Sequence, residues 1–135
     1  MLKKIDHIGI AVHSIGEARV FYEEVLGLEC LKIEEVAEQK VRTAFFKVGE
    51  IHLELLEPTS EDSPVANFLN KRGEGLHHIG YLVTDIEQQI EYAGEKGCEM
   101  INKKPVVGAA DKLIAFLHPR SSHGVLTEFC CKETK

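Results

Sequence analysis

The sequence predicts an α+β protein made of two tandem βαβββ modules, with curved mixed sheets around a cleft. Three observations predict it. First, Asp6-His7-Ile8-Gly9-Ile10-Ala11-Val12 is echoed by His77-His78-Ile79-Gly80-Tyr81-Leu82-Val83, and a shift of 71 positions lays His7 on His78, Gly9 on Gly80, Val12 on Val83 and Ile15 on Ile86. Second, each copy closes on a strand with a central glutamate, Leu53-Glu54-Leu55 and Thr127-Glu128-Phe129. Third, helix-start signals follow the opening strand in both copies. Repetition at a fixed offset is the mark of a duplicated unit.

Residues 4–12 alternate, so His7, Gly9 and Ala11 share one face and Ile8, Ile10 and Val12 the other. The aliphatic face needs a helix, and one follows at once. Ser14 is its cap and Glu17 its capping-box partner, Ile15, Ala18, Tyr22, Val25 and Leu26 form its buried stripe, and Gly27 stops it. Strands are expected at about 29–36, 40–48 and 51–57. Ser63 and Pro64 then open a linking helix that ends near Gly73 and docks through Val65, Phe68 and Leu69. The second copy repeats this grammar: Asp85 is the cap and Gln88 the reciprocal residue, Ile86, Ile90 and Ala93 face inward, and Gly97 closes the helix. Strands are expected at about 98–103, 112–117 and 124–130. The 135 residues are therefore read as one domain, with module 1 at about 4–58, the linking helix at about 63–72 and module 2 at about 76–131. A module of about 60 residues buries too little surface to stand alone, so the halves should pack on each other or on a partner.

A net charge of -6, with basic residues such as Lys71-Arg72 and Lys103-Lys104 only in isolated pairs, argues against a nucleic-acid surface. Met1 leads directly into a strand pattern, and no segment approaches the roughly 18 apolar residues of a membrane helix. A cytoplasmic protein without membrane or nucleic-acid partners is expected. The four cysteines lack zinc-knuckle spacing, and the adjacent Cys130 and Cys131 cannot easily pair, so all four are read as reduced and structural.

His13, His52, His77, His118 and His123, taken singly, are read as packed or surface residues. His7, Glu54, His78 and Glu128 are different, because they occupy the first and last strands of each repeat. Inward-facing carboxylates are costly to bury without a cation or another partner. His77 and His78 point to opposite faces, and the repeat selects His78 as the partner of His7. Two imidazoles and two carboxylates suit one divalent ion, with Co, Zn, Ni, Mn and Mg all open, and the lack of thiolates disfavours a closed structural zinc site. A polar cleft that binds a ligand without metal is the alternative.

With these motifs in place, and with Leu55-Leu56-Glu57-Pro58, Asp62-Ser63-Pro64-Val65-Ala66-Asn67-Phe68-Leu69, Gly75-Leu76-His77-His78-Ile79, Phe116-Leu117-His118-Pro119 and Gly124-Val125-Leu126-Thr127-Glu128 beside them, the chain resembles the vicinal-oxygen-chelate (glyoxalase/bleomycin-resistance) superfamily. Within it, it is most similar to the methylmalonyl-CoA epimerase family. The resemblance covers essentially the whole chain and implies a metal site at His7, Glu54, His78 and Glu128, a CoA thioester substrate and a homodimer. The implied activity is metal-dependent interconversion of (2R)- and (2S)-methylmalonyl-CoA by C2 proton abstraction through a metal-stabilised enolate.

Inversion needs an acid/base on each face of the reacting carbon, and Glu54 and Glu128 are assigned these catalytic roles. Some members carry an acid where this chain has Thr43. The stretch Val106–Lys112 resembles the family's small-residue substrate loop, and Lys103, Lys104, Lys112 and Arg120 are candidate cations for the phosphates of coenzyme A. A glyoxalase I-like lactoylglutathione lyase would use the same four ligands, whereas a non-catalytic small-molecule sequestering protein generally does not retain the full set.

Overall fold

The computed structural model describes residues 1–132. Its elements are β1 (Leu2–Ala11), α1 (Ile15–Val20), β2 (Cys30–Val36), β3 (Val41–Val48), β4 (Ile51–Pro58), α2 (Pro64–Arg72), β5 (Gly75–Val83), α3 (Ile86–Glu95), β6 (Val106–Val107), β7 (Lys112–Leu117) and β8 (Thr127–Lys132). The βαβββ order thus occurs twice, with α2 between the copies.

The chain forms two compact units. The first is His7–His77, and the second is Met1–Asp6 with the residues from His78 onward. The first unit orders its strands β2-β3-β4-β1. β2, β3 and β4 are antiparallel neighbours, while β1 runs parallel to β4. As the alternation predicts, Val12 just beyond β1, Ala44 and Phe46 on β3 and Leu55 on β4 meet Ile15 of α1 in one apolar cluster, with Ile10, Ala18 and Tyr22 packed against it. Ser14 caps α1 by accepting from the Glu17 amide at 3.2 Å, and Glu57 of β4 accepts from the Ile15 amide at 2.8 Å. The Leu55-Leu56-Glu57-Pro58 motif therefore seats the helix.

The second unit orders its strands β5-β8-β7-β6, with β5 and β8 parallel and the rest antiparallel. Val83, Ile86, Ile90, Ala93, Ala115, Leu117 and Phe129 form its core beneath α3, which Asp85 caps through the Gln88 amide. Met1 belongs here: its amine donates to Gln89 Oε1 at 3.1 Å and its carbonyl accepts from Thr84 N at 3.3 Å. Asp6 is buried beside Lys112, with Nζ to Oδ2 at 2.7 Å.

Three expectations need correction. The helix over residues 15–26 loses α geometry after Val20 and continues as a π turn, Phe21–Val25, closed by Leu26 N donating to Phe21 O at 3.1 Å. The wider turn rotates the stripe outward, and Val25 and Leu26 are exposed. The strand expected at 98–103 is irregular. Met100 forms a single bridge to Leu117, Ile101 N and Asn102 N both donate to Phe116 O, and the Asn102 side chain takes the Phe116 amide at 2.8 Å. A side-chain amide thus replaces the backbone carbonyl of a ladder, and regular pairing resumes only at Val106–Val107. The closing strand begins at Thr127 rather than 124, because His123 (φ 58°) and Gly124 (φ 91°) make a left-handed turn.

Among the described residues no helix is long and apolar enough to cross a membrane. All four cysteines are thiols, and burial pushes the Cys131 thiol up from its ordinary value.

Candidate functional site

The sequence-predicted residues fall into two pairs, one in each unit. In the first unit, the parallel register sets Gly9 of β1 beside Glu54 of β4, and His7 stands two residues earlier on the same face. Leu53 and Leu55 point the other way, into the apolar cluster under α1. Glu54 therefore lies on the face away from the helix, next to a residue with no side chain to compete for the space. His7 Nδ1 is 3.6 Å from Glu54 Oε2, which is ion-pair range but beyond a good hydrogen bond.

The second unit repeats the arrangement. Gly80 of β5 stands beside Glu128 of β8, and His78 precedes Gly80 by two residues. His78 Nε2 is 3.1 Å from Glu128 Oε1, and the edge of Phe116, which lies opposite Glu128 on β7, packs against the imidazole at 5.4 Å between ring centres. His77 turns to the other face, where its ring meets Phe68 at 5.0 Å. Strand parity thus sets the two adjacent histidines on opposite faces, as expected.

All four side chains are buried: His7 is 4%, Glu54 7%, His78 6% and Glu128 4% exposed. A buried carboxylate beside a neutral imidazole carries an uncompensated charge, whereas an imidazolium or a metal ion answers it. His7, His78 and Glu128 each present a ligating atom. Neutral imidazole nitrogens and carboxylate oxygens form a donor set of borderline hardness, which fits a divalent cation. The His78–Glu128 pair, at hydrogen-bond distance, can also exchange a proton.

The remaining candidates have structural duties. His118 Nδ1 accepts from the Arg120 amide at 3.0 Å, so the His-Pro turn caps itself. Lys112 is engaged by Asp6, and Arg120 by Glu99 at 2.9 Å, which leaves neither extended for a phosphate, while Lys103 and Lys104 are exposed.

One residue on the site face received little weight from sequence. Thr43 of β3 lies opposite Leu56 of β4, two pairs along from the Phe45–Glu54 pair, and so projects to the same face as Glu54. It is 1% exposed, and its hydroxyl is the buried side-chain polar atom that lacks a hydrogen-bond partner among the described residues. The alternation of Thr43 and Phe45 against Ala44 and Phe46 was the available signal.

Comparison with known proteins agrees with this geometry. Residues 6–116 match the Glyoxalase/Bleomycin resistance protein/Dioxygenase superfamily. An uncharacterized Bacillus subtilis protein is 50% identical over 96% of this chain and 92% of its own. The mitochondrial methylmalonyl-CoA epimerase of Bos taurus is 35% identical over 94% of this chain and 73% of its own. A solved methylmalonyl-CoA epimerase in complex with methylmalonyl-CoA and ammonium superposes with a TM-score of 0.95 at 39% identity, covering 99% of this chain and 97% of that one. The chain belongs to the glyoxalase/bleomycin resistance protein/dioxygenase superfamily and, within it, to the family of the methylmalonyl-CoA epimerases.

Proposed function

We propose that this protein interconverts the (2R) and (2S) forms of methylmalonyl-CoA, with His7, Glu54, His78 and Glu128 holding one divalent cation (Co, Zn, Ni, Mn or Mg) and Glu54 and Glu128 handling the proton. The carrying observation is the repeated pair: in each unit the same register puts a buried glutamate beside a glycine and near a histidine. Duplication provides two equivalent carboxylates, and inversion at one carbon needs two proton-handling groups.

A divalent cation bound by these four residues supplies Lewis acidity towards the thioester and carboxylate oxygens of such a substrate. The chain's own groups do the rest. One glutamate takes the C2 proton, and the electron pair of the broken C–H bond moves onto the thioester carbonyl. The other glutamate delivers a proton to the opposite face of C2, reforming the C–H bond with inverted configuration. Running the sequence backwards exchanges the roles.

The reading places the protein in the cytoplasm, in keeping with its four thiols. It also includes a homodimer. Val20, Phe21, Val25 and Leu26 are exposed on the first unit and offer apolar surface for a second copy to bury. Sedimentation at micromolar concentration tests the dimer.

The activity is tested by NMR of methylmalonyl-CoA in deuterated water, comparing metal-stripped protein with the same sample reloaded with Co. Metal-dependent loss of the C2 proton signal with interconversion of the epimers is the expected result. No exchange with any divalent ion removes the assignment.

A further inference from the structure

We infer that Thr43 is a positioning residue for Glu54, its hydroxyl donating to the Glu54 carboxylate when that side chain leaves His7 to handle a proton. The inference rests on the reading of Glu54 as a proton carrier. A carboxylate that serves both as ligand and as base needs two resting places, and the His7 side is one of them.

The geometry points to Thr43 as the other. Glu54 and Thr43 are diagonal neighbours on adjacent antiparallel strands, since Glu54 opposes Phe45 and Leu56 opposes Thr43. Diagonal side chains on one face start roughly 7 Å apart. A carboxylate oxygen stands three bonds beyond its Cβ and a threonine hydroxyl one, so the remaining gap is about a hydrogen bond's length. Both residues are buried on this face, so the contact forms without water entering.

The Thr43 hydroxyl is available for it. It has no hydrogen-bond partner among the described residues, and an unsatisfied buried hydroxyl is a net loss to the fold. Valine fills the same volume without that loss. For packing alone, threonine is therefore the poorer residue, and a function in the working cycle accounts for it. The Thr43 neighbours across its two ladders, Glu34 on β2 and Leu56 on β4, define the sides of its niche.

The experiment compares Thr43→Val and Thr43→Ser with wild-type protein, each loaded with Co, in the epimer-interconversion assay, and follows thermal unfolding of the metal-free forms. Thr43→Val should lower kcat roughly tenfold or more, the loss of one hydrogen bond to a charged group, while KM stays within about twofold. Thr43→Ser should keep kcat within about threefold of wild type, and metal-free Thr43→Val should melt no lower than wild type. Wild-type turnover in Thr43→Val overturns the inference, as does an equal loss in the serine and valine variants. If Thr43→Val does not fold, Thr43→Ser against Thr43→Ala isolates the hydroxyl at smaller volume, and equal kcat in that pair overturns the inference. A wild-type protein that does not epimerise methylmalonyl-CoA removes the functional reading itself, and this inference with it.

Discussion

Replacing Glu54 with Gln separates the two proton transfers that inversion requires. Glutamine keeps the volume and one acceptor oxygen, so the packing beside Gly9 survives, but it cannot accept a proton at neutral pH. Removing a general base costs about 10²–10⁴ in rate, or roughly 2.7–5.5 kcal/mol of barrier. The structure favours the upper part of that range. The next carboxylate on the same face of the first unit is Glu34, which is opposite Thr43 on β2 and so two strands away, roughly 10 Å at ordinary strand spacing. It cannot take over. Stability should change less, by about 1–2 kcal/mol, because glutamine keeps the volume and an acceptor oxygen on the His7 side. The assay starts from a single epimer in deuterated water and follows C2 deuteration by NMR and the opposite epimer by chromatography. Glu54→Gln should lose interconversion but retain deuterium exchange into one epimer through Glu128, with configuration kept. Glu128→Gln should show the reciprocal pattern on the other epimer. Near-normal interconversion in either variant, or exchange of the same epimer by both, refutes the two-carboxylate mechanism.

Other predictions test the frame that holds the pairs. Hydrogen bonds from Lys40 and Ser60 hold the exposed Asp62 carboxyl down from 3.8 to about 2. Its folded value lies below its unfolded one, so its contribution is present above about pH 4 and is lost as pH falls towards 2. Asp62→Asn should flatten acid unfolding over that window, an effect that shrinks in high salt, and an unchanged acid limb counts against it. A Cβ at Gly108 would stand 2.7 Å from Ile114 Cδ1 and 2.9 Å from Cγ2, so Gly108→Ala should cost about 1–3 kcal/mol by denaturant titration, and should cost less when made in an Ile114→Ala background. Ala110 adopts φ 58°, a left-handed conformation that disfavours a side chain, so Ala110→Gly should raise stability by about 0.5–1 kcal/mol, read as a higher unfolding midpoint.

What the sequence disclosed was carried by local rules with little room for compromise. Caps Ser14, Ser63 and Asp85 stand where the helices begin, because an orphan amide near the chain's own hydroxyl or carboxylate has few other partners. Strand parity separated His77 from His78 and put Glu54 opposite Leu53 and Leu55, because a one-residue slip would turn an entire apolar face to water. The misses lie where a distant partner decides. Asn102 replaces a ladder carbonyl only because Phe116 presents its amide there. The π turn after Val20 leaves the spacing of apolar letters intact while changing which of them are covered. Nor does the repeat indicate that Met1–Asp6 clusters with residues beyond His78, since that depends on Gln89, Thr84 and Lys112.

Thr43 belongs to the same class of nonlocal fact. Its letter suits a strand, and nothing local distinguishes a satisfied hydroxyl from an orphaned one; that distinction depends on Leu56 and Glu34 across the two ladders. The repeat could reveal the paired residues because duplication wrote them twice. Thr43 has no such echo, and an asymmetric role fits that. If the two glutamates do equivalent work from opposite sides, a helper present on only one side makes their proton transfers unequal. The rates of deuterium uptake into the two epimers should then differ in the wild type and converge in Thr43→Val. Equal uptake rates in wild type would mean that the symmetry of the fold extends to the chemistry, leaving Thr43 without a part in it.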